Sequence, residues 1–361
     1  MRDFINVIGY LGYSNAGDDI MLLGLLNELI DRNKQQKVRV FVRDLNISKT
    51  PIFCSEKFSN IHWVKLGRLS VFKMPWYCYD ARELIWCGGT CFYEDPSDSS
   101  LSGLKWIDRV TRISSSLGVK IRFCNVGVNS VISLVAKKLI RSILLRSSAV
   151  SLRDGESLEA CLDYAPEYKN FSIGGDLAFL SGLRGNRHEA MEPYFVFCGH
   201  ADFSQNDELI ELYASQVNMI AKKLELQVCF LPMHLGIKTD NLFHEKVIKL
   251  LGEDISYKLF DTNNLDIIAE IVSNSKFVLS FRLHALVISE ILRTPSVGIS
   301  YNDKVHKFIN KTNNLSEQRV LDVGEALSEI TILDILDNYD VHSNFIVVEE
   351  NEAKLGIVIG R

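Results

Sequence analysis

No CxxC pair occurs among the eight cysteines, and the nearest two, Cys87 and Cys91, have three residues between them. That disfavours a metal or disulfide framework, and reduced, mostly buried thiols are expected. An excess of positive charge is missing as well. The 40 Lys and Arg stand against 45 Asp and Glu, a net charge of -5, so no nucleic-acid partner is expected and any anion site must be local. No apolar run reaches the ~18 uncharged residues that a membrane span requires; the most apolar stretch, 131–145, is broken by Lys137, Lys138 and Arg141. Arg2 and Asp3 stand where a secretion signal would be building its apolar core, so a cytoplasmic location is the expectation. Short-period repeats and low-complexity tracts are absent too. What is there is a 361-residue chain, 47% hydrophobic and 24% charged. This is the balance of a folded protein with room for two domains, and it excludes disorder, collagen and a small disulfide scaffold.

Short apolar runs alternate with helix-periodic segments along most of the chain. Strands are expected at 5–10, 38–42, 84–87, 120–126 and 149–152, with helices at 18–32, 104–116, 131–145 and 156–163. The polar stretch 181–193, holding Gly182, Arg184, Gly185, Arg187 and Glu192, breaks the register and reads as an interdomain linker. A second series follows: strands 194–198, 227–231, 255–259, 277–281 and 296–300, and helices 208–224, 242–251, 265–272, 285–292 and 304–311. Strands joined by crossover helices make parallel sheets covered on both faces. The fold class is therefore α/β: two Rossmann-like domains, 1–185 and 186–361, facing across a cleft, with a less periodic tail from about residue 331. Ligands of such folds bind at the carboxyl ends of the strands.

The first strand runs into Gly9-Tyr10-Leu11-Gly12-Tyr13-Ser14-Asn15-Ala16-Gly17-Asp18-Asp19. Glycines there let the backbone approach a ligand, and the helix N-terminus that follows offers N–H groups and a positive dipole end. The spacing is not GxGxxG, so a dinucleotide fingerprint is not met. Asp18 and Asp19 fit equally well as carboxylates that stabilise the first helical turn. Gly88 and Gly89 close another strand in what is by default a tight turn. Arg153-Asp154 allows two readings, a substrate clamp or a helix N-cap with its ion-pair partner. Asp176, after Gly174-Gly175, is either a general base or hydroxyl-orienting group, or the acceptor that holds a neighbouring turn. His234, with Asp240 in the loop beyond, is either a catalyst at the rim or an ordinary loop residue.

The sharpest cluster is Ser280-Phe281-Arg282-Leu283-His284, followed by an apolar helix and then Tyr301-Asn302-Asp303-Lys304. Extended i, i+2 spacing places Arg282 and His284 on one face, at the start of a helix whose dipole adds to their charge. Tyr301 and Lys304 supply a further donor and cation, which completes an anion pocket; a solvated basic rim is the other reading of the cluster. The helix 131–146, apolar on one side and carrying Lys137, Lys138, Arg141 and Arg146, reads either as core-facing or as a peripheral membrane contact. Nothing in the chain has metal-ligand spacing.

In this order, GYLGYSNAGDDIML, LIWCGGTCFYED, SLRDGESLEACL, GGDLAF, LPMH with the later Asp240, and SFRLHALVISEILRTPSVGISYNDKVHKF resemble the polysaccharide pyruvyl transferase family. Thr90 stands where that family commonly has a third glycine, and Leu177 where it often has proline. The resemblance implies a GT-B-like transferase that moves the pyruvyl unit of phosphoenolpyruvate onto two hydroxyls of one sugar. The product would be a pyruvate ketal on a cell-surface glycan precursor of the exopolysaccharide or capsule type, and phosphate would be released. A lipid-linked or nucleotide-linked sugar acceptor is implied, and with it a cytoplasmic protein that works at the inner face of the cytoplasmic membrane if the acceptor is lipid-linked.

Phosphoenolpyruvate carries a carboxylate and a phosphate, and Arg153, Arg282, Tyr301 and Lys304 are its expected ligands. His284 is the expected general acid. Asp176 is expected to deprotonate or orient a sugar hydroxyl, and Gly12, Asn15, Gly17, Asp18 and His234 to contact the acceptor. No cofactor is expected. Two other classes stay open: a GT-B glycosyltransferase, whose nucleotide-sugar diphosphate the same cations would hold, and a non-catalytic glycan-binding subunit.

Overall fold

The computed structural model describes residues 2–67, 70–94, 100–128, 133–188, 192–300 and 320–322. They form two compact units. The first contains Asp18–Gly182 and the residues before Ser14; the second runs from Leu183 and also takes in Ser14–Gly17, which the sequence reading places with the N-terminal domain.

The first unit comprises β1 (Phe4–Ile8), α1 (Ala16–Arg32, whose first two residues group with the second unit), β2 (Lys37–Val42), β3 (Ile61–Lys65), α2 (Ser70–Tyr79), β4 (Ala81–Cys87), β5 (Thr90–Phe92), α3 (Ser102–Ser116), β6 (Lys120–Val128), α4 (Leu134–Arg146), β7 (Ala149–Leu152), α5 (Gly155–Tyr164) and β8 (Phe171–Ile173). Its strands pair in parallel in the order β3-β2-β1-β4-β6-β7-β8, with β5 beside β6. The second unit comprises β9 (Tyr194–Cys198), α6 (Asp207–Leu224), β10 (Gln227–Phe230), α7 (Asn241–Ile248), β11 (Tyr257–Leu259), α8 (Leu265–Ser273), β12 (Val278–Ser280), α9 (Leu283–Ile291), β13 (Ser296–Ser300) and β14 (Val320–Asp322). Its order is β11-β10-β9-β12-β13-β14, again parallel throughout.

Both sheets are doubly wound. The chain builds outward from β1 through β2 to β3, then returns to β4 on the other side, and the second sheet repeats this from β9. Loops that leave the two central strands diverge at their carboxyl ends and open a crevice there. The central strands are buried on both faces, which is why β9 reads as an unbroken apolar run and β1 as one interrupted only by the buried Asn6. Beneath the second crevice, Phe197, Tyr213, Phe243 and Phe281 are wholly buried, with the Tyr213 and Phe281 rings 4.7 Å apart edge to face. α4, α6 and α8 start at side-chain caps: Ser133 accepts from Ala136 N at 3.1 Å, Asn206 from Leu209 N at 3.1 Å and Asn264 from Asp266 N at 3.0 Å. The eight cysteines are unpaired, and all but Cys54 are buried.

Three parts of the sequence reading change. The segment 43–83 is given no element from sequence, yet it holds β3 and α2. Pro75 sits inside α2, and Phe72, Trp76 and Tyr79 lie outside while Met74 and Cys78 are buried, so its hydrophobic pattern does not single out the core-facing side. The strand expected at 277–281 is shorter, and α9 begins at Leu283. Arg282 is therefore the N-cap residue and His284 lies in the first helical turn, so the extended i, i+2 relation between them does not hold. α4 turns Ala136, Ile140, Ile143 and Leu144 into the core, while Lys137, Arg141 and Arg146 pair with Asp163, Glu167 and Asp108. That is the core-facing reading of this helix. The helix expected at 304–311 and the tail lie outside the described residues, as do Tyr301 and Lys304.

Candidate functional site

The carboxyl edge of the second sheet gathers around Asp240, which is fully buried. Its Oδ2 accepts the N–H groups of Met233 at 3.1 Å and His234 at 2.9 Å, and its Oδ1 accepts that of Ala201 at 3.2 Å. Arg282 completes the set: its Nε lies 3.2 and 3.1 Å from the two carboxylate oxygens, and its Nη2 donates to Oδ1. One carboxylate thus ties together the loops that leave β9, β10 and β12. The Arg282 guanidinium is locked by this bidentate geometry, and its Nη1 makes no hydrogen bond to the described residues, which leaves a donor on its outer edge. The Ser280 hydroxyl accepts from Arg282 N at 2.8 Å and donates to Arg282 O at 3.0 Å, holding the turn that aims the side chain.

Two further histidines of this edge are absent from the sequence reading. His244 is wholly buried; its Nε2 accepts the Gly199 N–H at 2.7 Å, so Nδ1 carries the proton and donates to Asn241 Oδ1 at 3.1 Å. Burial brings its pKa down to about 4. His200, two residues past the end of β9, accepts Asp202 N–H at Nδ1 over 3.1 Å, and burial followed by the nearby Arg282 charge lowers its pKa to about 4. Asking of β9 what was asked of β10 and β12, namely which side chains follow the strand end, would have found His200. His244 sits inside α7 and gives no such signal.

His234 Nδ1 lies 3.0 Å from the Lys238 carbonyl and must donate to it, which leaves Nε2 as the basic nitrogen of the neutral ring. Its backbone forms a bridge with Asn15. Around that bridge Ala16 N donates to Met233 O at 2.9 Å and Leu235 N to Ser14 O at 2.9 Å, while Asn15 Oδ1 accepts from Gly17 N at 3.0 Å. Gly17 lies against His284: a Cβ there would come within 2.2 Å of Nδ1. The second unit therefore brings together Asn15, Gly17, His234, Arg282 and His284.

The first unit carries Gly12, Asp18, Arg153 and Asp176. Gly12 has φ +72°, and a Cβ on it would stand 2.9 Å from Asp44 O, so both conformation and space call for glycine. Asp18 reaches the turn after β4, its Oδ1 3.7 Å from where a Gly89 Cβ would be. Its neighbour Asp19 is buried and its carboxyl pKa is pushed well up, by burial first and by Asp18 second. Asp154 caps α5 through Ser157 N at 2.8 Å and lies 3.5 Å from Arg153 Nε, the capping arrangement of the two that sequence allowed. Arg153 also lies over Gly127 beside Thr90: a Cβ on Gly127 would be 2.9 Å from its Nη2 and 3.3 Å from Thr90 Oγ1. Asp176 accepts from Ala178 N at 2.9 Å and so holds a turn, the second of its two readings. Among the described residues no group of three or more His, Cys, Asp or Glu is placed to hold a metal ion.

Two doubly wound parallel sheets of this kind define the two-Rossmann, GT-B-like class. The UDP-GlcNAc 2-epimerase of Methanocaldococcus jannaschii is similar with a TM-score of 0.65 at 11% identity, over 95% of this chain and 94% of that one. A putative UDP-N-acetylglucosamine 2-epimerase of Listeria monocytogenes gives 0.63 at 10% identity over 95% and 90%. The UDP-GlcNAc-bound 2-epimerase of Neisseria meningitidis gives 0.62 at 10% over 95% and 94%. No curated protein matches the chain. Within this class the sequence signature of polysaccharide pyruvyl transferases covers residues 15–303, and the chain belongs to that family.

Proposed function

We propose that the chain transfers the pyruvyl unit of phosphoenolpyruvate to two hydroxyls of a sugar in a glycan precursor, forming a cyclic ketal and releasing phosphate. The observation that carries this reading is the carboxyl edge of the second sheet in a chain of this family. There Arg282, clamped by Asp240 with Nη1 left outward, immediately precedes the helical turn that holds His284.

On this reading Arg282 grips the carboxylate or phosphate of the donor, and Tyr301 and Lys304 add to its ligands. The His284 imidazolium gives its proton to the methylene carbon, and C2 becomes an oxocarbenium-like centre. The first sugar hydroxyl bonds to C2 and loses its proton. The C2–O bond to phosphate then breaks, phosphate departs with the bonding pair, and the second hydroxyl closes the ring with loss of its own proton. His234 Nε2 is the basic nitrogen available to a hydroxyl on this unit, and Asn15 and Gly17 line the same face. In the first unit Asp18 is the candidate acceptor contact and Arg153 an anion contact. Asp176, which holds its turn through Ala178 N, is kept only as a candidate for orienting or deprotonating a sugar hydroxyl.

The test is phosphate release from phosphoenolpyruvate with a panel of lipid-linked and nucleotide-linked sugars. His284→Gln should lower kcat by about 100-fold or more while leaving the donor KM near that of the native enzyme. Equal turnover by that variant would remove His284 from the chemistry. Absence of acceptor-dependent phosphate release from the whole panel would remove the transferase reading itself.

A further inference from the structure

The longest aromatic stripe exposed on the described surface lies on α2, away from the residues discussed so far. Phe72, Trp76 and Tyr79 are 79%, 83% and 81% exposed, whereas Met74 and Cys78 on the opposite side of the same helix are buried. At 100° per residue the three rings fall within a sector of about 60°, one face of the helix. The helix is firmly seated. The Tyr77 carbonyl accepts from Asn6 Nδ2 at 2.9 Å and from Arg39 Nη1 at 3.1 Å, and Arg39 is itself paired in bidentate fashion with Asp80. At its other end Gly67 N donates to Ser70 Oγ at 2.6 Å. The rings are therefore outside because this face has no partner among the described residues of its unit.

The charge around the stripe says what covers it. In a chain of net charge -5, the sequence 61–79 holds Lys65, Arg68 and Lys73 and neither Asp nor Glu. A cavity of about 250 Å³ beside the helix is lined by Lys65, Ser70 and Lys73 among others, with both lysines exposed. Three exposed rings, two of them with a polar tip, set beside lysines and a basic hollow of headgroup size, are the composition of a surface that lies on an anionic bilayer. The cavity follows β3, so it sits on the carboxyl edge of the first sheet, the edge that also carries Asp18 and Gly89.

We propose that α2 is a peripheral membrane-docking helix: Phe72, Trp76 and Tyr79 enter the interface of an anionic bilayer, while Lys65 and Lys73 take a lipid phosphate. The membrane contact that sequence alone offers to the helix 131–146 belongs on this reading to α2, because the cations of α4 are largely paired within their own unit.

Flotation of the full chain with phosphatidylcholine vesicles, with and without phosphatidylglycerol, tests this. The native chain should float with the anionic vesicles, less so as salt rises, and weakly or not at all with phosphatidylcholine alone. Phe72→Ser with Trp76→Ser should abolish flotation, and Lys65→Gln and Lys73→Gln should each weaken it about fivefold on anionic vesicles only. Trp76→Phe should keep binding but lose the blue shift of tryptophan emission that vesicles induce. No binding of the native chain to anionic vesicles at low salt overturns the proposal. So does undiminished binding by both the serine and the glutamine variants, or a native dimer that the serine variant splits without any effect of vesicles, which would make a second copy of the chain the occupant.

Discussion

Gly17 and His284 are 267 positions apart in sequence, yet the glycine decides where the imidazole can stand. A methyl group on Gly17 would intrude to 2.2 Å from His284 Nδ1, so the ring has to turn away. Backbone strain plays no part, since Gly17 is not among the residues with positive φ. On the proposed reading Gly17→Ala should therefore fold with a Tm close to native and lose about 100-fold in kcat, the cost of displacing the proposed general acid by an ångström or so. Phosphate-release kinetics beside a melting curve check this, and native kcat in that variant would show that the ring position is not critical. At this scale the residue types were legible while their partners were not. Arg282 and His284 stood out because a cation and an imidazole lead into an apolar helix. That Arg282 is clamped by Asp240, 42 positions earlier, could not be read from spacing, because the carboxylate reaches it only once β10 and β12 lie in one sheet.

Elements set protonation as much as position. His244, buried in α7, and His200, in the turn after β9, are both neutral in the fold with pKa values near 4, against 6.5 for a free imidazole. Between those values the unfolded chain holds a proton that the folded chain does not. Stability is thus fully present above pH 6.5 and falls as pH drops toward 4. For the fully buried His244 the loss by pH 5 is about 2 kcal/mol. The Tm should fall between pH 7 and pH 5, and it should fall less in His244→Gln; an identical pH slope in that variant would assign the loss to other groups. Element boundaries show where sequence patterning stops. The strands 149–152, 194–198 and 296–300 coincide with those observed, since a parallel strand covered on both faces reads as a short, mostly apolar run. α9 begins two residues earlier than the expected helix because Leu283 and His284, half-buried, already have helical backbone. α2 escaped notice because Phe72, Trp76 and Tyr79 point outward while Met74 and Cys78 face the core, so its apolar residues do not trace one core-facing side.

Across the whole molecule, donor identity is the property most open to direct measurement. A ligand that binds only the folded chain raises Tm, by about 2.7 kcal/mol of stabilisation at a concentration of 100 times Kd. Phosphoenolpyruvate should raise it and UDP-GlcNAc should not, although the solved relatives include epimerases bound to that nucleotide sugar. The reverse result would favour the glycosyltransferase reading, because the fold alone, shared at 10–12% identity, does not choose between them. By itself the amino-acid order determined the α/β class, the alternation of strand and helix in two series, and the cations and imidazoles at strand ends. It can do this because burial on both faces of a parallel sheet leaves a local, periodic trace. The hub at Asp240, the contact of Gly17 with His284, the neutral state of His244 and the outward stripe of α2 were decided by tertiary structure alone. Each of these depends on which distant segments the sheets bring side by side, and a pairwise distance of that kind leaves no period in the chain.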